Sequence, residues 1–417
     1  MKKIYKILII AIIGVVLLGS LAGCQDSAEN NQTVQPEPME INLSRPYSEV
    51  LSTSKYMDAI NDFSIDLFET LDNTQNTCIS PLSVYIAFAI LSNGAANETL
   101  DQIANVMHLT PTEINEYSAY LYSLYQDDET NAQTVQIANS VWFKESFTPK
   151  QDFIDNAAAY YDAEIIKALF NNDTVKQTNA WVKEKTRGMI DKIVESYSPY
   201  TIMQIINALV FEDNWTKALN DGEHMFTYKD GSIRFVEGGY KKQASFFESN
   251  NAEAFKYYFK NNRFCFLGIK PKVELGEYLD VFDKDELYTL LNNENTSYDI
   301  VKTFVPYFDF DYSVNLKQNL MDLGMVDAFS EIDADFSRAW DAEDNVFVSY
   351  VNHKTHFELS RDGVKAAAVT SIGMEVTSTP PSIEPKIKEI YLDKPFIYMI
   401  LDKEYNVPLF IGTINTI

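Results

Sequence analysis

The sequence predicts an α+β chain, with helices packed on large, mostly antiparallel sheets. Three observations lead there. Helical spacing dominates the first half, and strand-like alternation takes over from about residue 224. The chain then closes on three apolar runs, IKEIYL, PFIYMILD and VPLFIGTI, that read as terminal strands. An apolar content of 46 %, with 25 Tyr and 26 Phe, allows a large core.

At the N-terminus Lys2, Lys3 and Lys6 precede an apolar run from Ile7 to Leu18, and small residues follow up to Cys24. That order is a secretory signal, residues 1–23. Leu21-Ala22-Gly23-Cys24 is similar to the bacterial lipobox, whose cysteine is acylated and becomes the first mature residue. An uncleaved anchor helix is the other reading of this run, and either one puts the chain outside the cytoplasm on a membrane. Residues 24–48 are polar and contain proline, so they read as the lipidated Cys24 and a flexible tether. Residues 49–417 show no second low-complexity break and read as one long domain.

Within that domain Tyr56–Leu71 has helical spacing, with Ala59, Phe63, Ile65, Leu67 and Phe68 on or near one face. Ser80-Pro81 supplies an N-cap and a first-turn proline to Leu82–Ser92. This run is apolar nearly all round, which implies a helix buried on most sides. Gly94 ends it, and Asn97 or Thr99 opens an amphipathic helix. Residues 113–127 and 148–162 read as helices around a buried strand, Thr134–Phe143. Asn179–Ile193 is another helix. Ile202–Trp215 is a strand with a largely continuous apolar run, expected at the centre of a sheet. Residues 224–275 alternate as antiparallel strands, helical spacing returns at 284–292 and 316–323, and Phe347–Ser360 is a strand.

That last strand leads straight into SRDGVKAAAVTSIGMEVTSTPPS, Ser360–Ser382. Seventeen residues, Gly363 to Thr379, contain no proline, so each could donate to a sheet ladder. As a strand from Val364, alternation sends Val364, Ala366, Ala368, Thr370, Ile372 and Met374 to one face. The other face takes Lys365 and Glu375, so both charges fall on one side. Taken alone, the stretch is either a surface loop before a final hairpin or a segment able to live both exposed and as a strand.

The chain offers little to an enzyme. There is no GxSxG elbow, HExxH helix, Walker-type glycine loop or CxxC, and only four histidines: His108, His224, His353 and His356. His353 and His356 point to opposite faces of their strand and cannot share a metal there. No metal or cofactor is expected. A net charge of −26 opposes nonspecific binding to nucleic acid or anionic lipid and favours basic partners. Cys78 and Cys265 lie among apolar residues, so buried free thiols are expected instead of a disulfide.

Several ordered stretches resemble the serpins, serine-protease inhibitors with a mobile reactive loop. They are ISPLSVYIAFAILSNGAANETLDQI, IANSVWF, YDAEI, NAWVKEKTRGMIDKI and INALVFEDNW, followed by VPYFDFDYSVNLKQNLMDLGMVDAFSEIDADFS, VNHKTHFELSRDGVKAAAVTS, KPFIYMILD and PLFIGTI. The resemblance runs from about residue 55 to 417. It implies the serpin fold with an exposed reactive-centre loop at about 363–381. It also implies a single-use suicide substrate, in which the cut loop inserts into the central sheet and traps the acylated protease.

By the same resemblance, Gly363, Val364, Lys365, Ala366, Ala367 and Ala368 form the hinge, and the reactive bond is Thr377-Ser378. The segment to Pro395 is long, so Val376 or Ser378 remain alternative positions for the residue before the cut. Threonine there suits the restricted, uncharged pocket of an elastase-like or subtilisin-like serine protease, and a cysteine protease stays open. Ser80, Ser83, Asn207 and His353 would form a mutually satisfied polar cluster beneath the sheet, the shutter. Trp215 would pack at the breach, where the loop enters. Val364 and Lys365 stand where the family commonly has threonine and glutamate, which would slow insertion.

The expected molecule is thus a monomeric inhibitor, lipid-anchored through Cys24 on the extracellular face of a bacterial membrane. A noninhibitory surface binding protein of the same fold, cleaved without trapping, is the alternative. A surface hydrolase or solute-binding lipoprotein has no catalytic constellation or repeated βα units to support it.

Overall fold

The computed structural model describes residues 53–126, 134–243, 245–340, 346–364 and 385–417. Helices α1 (Thr53–Glu69), α2 (Pro81–Ser92), α3 (Asn97–Val106) and α4 (Ile114–Gln126) open this part. In α1 the stripe of Ala59, Phe63, Ile65, Leu67 and Phe68 is buried. In α2 the Ser80 side chain accepts from the Ser83 backbone N–H, Pro81 opens the first turn, and every residue except Ala87 is buried. A helix with no polar face has to be wrapped, and α2 lies between α1, α4 and strands of two sheets.

The chain continues through β1 (Val135–Lys144), α5 (Gln151–Tyr161), β2 (Glu164–Ala168), α6 (Asn172–Lys185) and β3 (Met203–Phe211). These strands form a sheet of order β2-β1-β3, parallel at β1–β2 and antiparallel at β1–β3. Next come β4 (Asp213–Asn214), β5 (Asn220–Thr227), β6 (Ile233–Gln243), β7 (Phe246–Glu248), β8 (Ala252–Tyr258) and β9 (Phe264–Pro271). Helices α7 (Leu275–Leu279) and α8 (Lys284–Asn292) are followed by β10 (Glu294–Asn295), β11 (Ile300–Pro306), β12 (Phe308–Asn315) and α9 (Lys317–Asp322). The chain ends with β13 (Asn352–Leu359), β14 (Gly363–Val364), β15 (Ile387–Tyr391), β16 (Phe396–Asp402) and β17 (Val407–Ile414).

Three further sheets have the orders β10-β7-β8-β9-β16-β17, β15-β11-β6-β5 and β12-β13-β14-β4. Pairing is antiparallel apart from β1–β2 and β11–β15. One apolar core runs from α1 and α2 through α4 to β8, β9, β16 and β17. A smaller one, with Trp142, Phe170, Val182 and Ile206, lies between α6 and the sheet of β1 and β3. Cys78 and Cys265 are free and buried, and burial pushes both thiols up to about 11, so they stay protonated.

Three expectations change. The helix expected at Asn179–Ile193 begins at Asn172 and ends at Lys185. Asn171 caps it in a box with Thr174, while Arg187 (φ 51°) and Gly188 (φ 81°) turn the chain and close it with Gly188 N–H donating to Lys183 O. The strand expected from Phe347 is laddered only from Asn352. Most consequentially, β3 is not central: it pairs with β1 on one flank, and no described residue pairs with the other.

Candidate functional site

The free flank of β3 faces β13 and the segment before it. A cavity of about 510 Å³ separates Ile202–Asn207 from Val346–His353, with Val84, Phe88 and Leu91 of α2 among its lining and Phe336 and Trp340 beside them. This explains both departures. The apolar run of β3 is covered from behind by α2 and not by a second neighbouring strand. Among the described residues, 346–351 have no strand to pair with across the gap. Two facing strand edges carry backbone donors and acceptors that a further strand could satisfy, as in recognition by strand addition.

At its upper end the gap is already filled. β14 pairs with β4 on one side (Gly363↔Asn214, Val364↔Asp213) and with β13 on the other (Leu359↔Val364), antiparallel to both. Val364 is buried there. Gly363 allows it, because a Cβ at that position would lie 2.1 Å from Asp213 O. Burial raises the Asp213 carboxyl above its ordinary range, even though Asp213 accepts from the backbone N–H groups of Asn261 and Asn214.

Trp215 fixes this end. Its ring is buried and stacks on Phe259 at a centroid distance of 4.5 Å, with Tyr257 and Phe266 edge-on. Trp215 Nε1–H donates to Ser360 O at 3.1 Å, and its backbone N–H donates to Asp362 O at 2.8 Å. The turn between β13 and β14 is held on its far side by Arg361 Nε and Asp221 Oδ2, 3.2 Å apart. Trp215 and Gly363 therefore meet at the point where the segment enters the sheet.

The four residues expected as one polar cluster surround the gap but are not mutually satisfied. His353 Nε2 accepts from the Ser80 backbone N–H at 3.0 Å, so the neutral ring carries its proton on Nδ1. Burial alone lowers this imidazole to about 4. Ser83 N–H donates to Ser80 Oγ at 3.4 Å. Asn207, on the opposite wall, donates instead to Asn139 Oδ1 at 2.6 Å, and its own Oδ1 is buried without a partner. The parted sheet puts Asn207 out of reach of His353, with a void of about 20 Å³ lined by both. Asn139, tied in turn to Tyr161 O, escaped the sequence reading. The signal was present: an amide amid the apolar residues of a buried strand.

Lys365, Ala366, Ala367, Ala368, Thr377, Ser378 and Cys24 lie outside the described residues. Among the described residues, no cluster of three or more His, Cys, Asp or Glu side chains is placed to hold a metal.

A model of the serpin family, serine protease inhibitors, matches residues 58–417. A serpin-like protein of Thermococcus kodakarensis is 28% identical over 95% of this chain and 96% of its own. The thermophilic serpin tengpin in its native state superposes with a TM-score of 0.82 at 33% identity, covering 92% of this chain and 100% of tengpin. Its latent state gives 0.76 at the same identity, covering 88% and 99%. With the family match spanning residues 58–417 and the native tengpin fold covering most of the chain, the chain belongs to the serpin family of serine protease inhibitors.

Proposed function

We propose that the chain inhibits serine endopeptidases as a suicide substrate. The protease serine attacks the carbonyl of Thr377, and the Thr377-Ser378 amide breaks. Ser378 leaves as a new amino terminus, and Thr377 stays esterified to the enzyme. The freed loop then inserts between β3 and β13 before water can hydrolyse the ester. The observation that carries this reading is the short strand β14, seated between β4 and β13 above an otherwise open gap.

The register of β14 extends downward by simple counting. Six residues below Val364, Asp213 and Leu359 are Thr370, Asn207 and His353, so an inserted strand would carry Thr370 to the level of the polar cluster. Glu375 would come level with Ile202 at the cavity's lower end, leaving Thr377 just beyond the sheet with its cargo. Inward positions Ala366 and Ala368 add little bulk at the entrance, and Ile372 and Met374 would reach the apolar lower part. Closer likeness to native than to latent tengpin supports a state in which this transition has still to happen. The drive is completion of two ladders and filling of the cavity, held back kinetically while the loop is intact.

On this reading Gly363 to Ala368 act as the hinge, Trp215 guards the breach, and Ser80, Ser83, Asn207 and His353 form the shutter. The threonine before the cut favours elastase-like or subtilisin-like enzymes. The leader and LAGC motif support anchoring of the chain, read as a monomer, through Cys24 outside the cell, and Cys24→Ser should abolish that placement by releasing the chain from the membrane fraction. A second reading, loop cleavage without trapping, rests on Lys365, whose basic side chain would slow entry behind the already seated Val364.

The test is to incubate the full chain with an elastase-like and a subtilisin-like protease, followed by denaturing gels and mass spectrometry. A complex that survives denaturation, with a released peptide starting at Ser378, is expected. Clean cleavage with full protease activity and no such complex would instead establish the second reading for those enzymes.

A further inference from the structure

We propose that a cleft at the C-terminal end of α1 binds an organic polyamine, a flexible chain of ammonium groups joined by short methylene runs. The cleft shares no lining residue with the gap between β3 and β13, and the inference stands apart from the inhibitory reading.

The cleft has a volume of about 640 Å³, which suits a small molecule. Four parts of the chain build it: the end of α1, the tip of the β5–β6 hairpin, α7, and residues just before β16 and just after β17. Its floor is apolar, with Phe68, Leu71, Leu275, Phe282 and Pro395 all buried.

The rim is acidic. Glu69, Glu274, Glu277 and Asp280 line it and are exposed, and none of them forms an ion pair or a side-chain hydrogen bond among the described residues. Lys229, the one base in the described lining, acts on Asp72. The last turn of α1 carries no basic residue, so Glu69 adds negative charge where the helix dipole is already negative. Burial, with Asp66 and Asp283 close by, raises the Glu69 carboxyl above its ordinary range. A cation in the cleft would relieve each of these costs.

An acidic rim alone would gather any cation, and Asn415 narrows the choice. Asn415 lines the cleft and is only 6 % exposed. Its Nδ2 group donates to Asn73 O at 3.2 Å, Gln75 O at 2.7 Å and Thr413 Oγ1 at 3.3 Å. Those bonds fix the amide, and they leave Oδ1 as an acceptor with no donor among the described residues. An ammonium N–H supplies that donor.

A bare metal ion fits less well, since no described group of three His, Cys, Asp or Glu side chains is placed to hold one. A polyamine meets both halves of the cleft. Its ammonium groups bond Asn415 Oδ1 and the rim carboxylates, and its methylenes lie along Phe68 and Phe282.

The experiment titrates spermine into the full chain by calorimetry, with magnesium as a cation that offers charge alone. The expected result is saturable binding of one spermine per chain, not displaced by an equal concentration of magnesium, and a thermal midpoint raised by spermine. Glu274→Gln/Glu277→Gln should raise Kd at least tenfold. Glu98→Gln/Asp101→Asn, which removes the same charge from exposed positions of α3, should change it less than twofold. A Cβ at Gly276 would meet no atom within 4 Å, so bulk can be added to the lining there without a clash. Gly276→Trp should therefore abolish binding and leave the midpoint without spermine nearly unchanged. No saturable binding, equal weakening by the α3 pair, displacement by magnesium, or full affinity in Gly276→Trp would each overturn the proposal.

Discussion

His353 is held neutral by its surroundings, and that makes the gap sensitive to acid. In the folded chain the ring loses its proton down to about 4, against an ordinary 6.5. Between those values the unfolded chain binds a proton that the folded one does not, so stability falls as pH drops through this window and is fully present above it. The maximum loss is about 3 kcal/mol from this residue. Protonated Nε2 would also confront the Ser80 N–H it now accepts from. The thermal midpoint should therefore fall from pH 7 to pH 4.5, and less steeply in His353→Asn. His353→Ala, which removes the acceptor altogether, should raise spontaneous polymer or latent form on mild heating; unchanged monomer by size exclusion would count against the shutter role. At Gly363 the argument is space: in Gly363→Val the added side chain meets Asp213 O and drives β14 off β4. Protease digestion of that variant should shift from covalent complex toward free cleaved chain. Ser80 and Gly363 were legible as cap and turn because their chemistry is local. The partner of Asn207 was not, since it depends on which strand lies opposite.

Among the elements, α2 was the most transparent. A proline-started run with no polar face can only be an interior helix, and it is one. β3 misled for an instructive reason: a continuous apolar run reports burial on both faces, and a covering helix supplies that as well as a neighbouring strand does. The start of α6 was missed because Asn171 and Thr174 act through a hydrogen-bonded box, not through apolar spacing. The loop's alternation bears on the strand that the proposed insertion would make. Since Val364 faces inward at the top of the gap, Ala368 would follow on the same face. Ala368→Arg should thus cut the yield of covalent complex at least tenfold and leave the chain a substrate, whereas Ala367→Arg on the outward face should change it little. Gel quantitation of complex against cleaved chain separates the two, and equal losses would defeat the register.

Taken whole, the molecule keeps β3 and β13 apart across an open gap. Insertion would satisfy strand edges along β3 and β13 and fill a cavity of about 510 Å³. Loop cleavage should accordingly raise the thermal midpoint of the cleaved chain above that of the intact one, by about 1 °C for each kcal/mol gained in a chain of 417 residues. A lower or unchanged midpoint after cleavage at Thr377 would mean that the strand does not enter. The sequence by itself determined the α+β class, the buried α2, the terminal strands and the free buried thiols. Those features follow from side-chain volume, polarity and backbone freedom within a few residues of each other. Only the tertiary structure decided that β3 and β13 stand apart, that Gly363 and Val364 already occupy the entrance, and that Asn207 turns to Asn139. Each of these depends on which distant backbone edges pair, and such pairing is fixed by the closure of the whole chain and not by any one stretch of it.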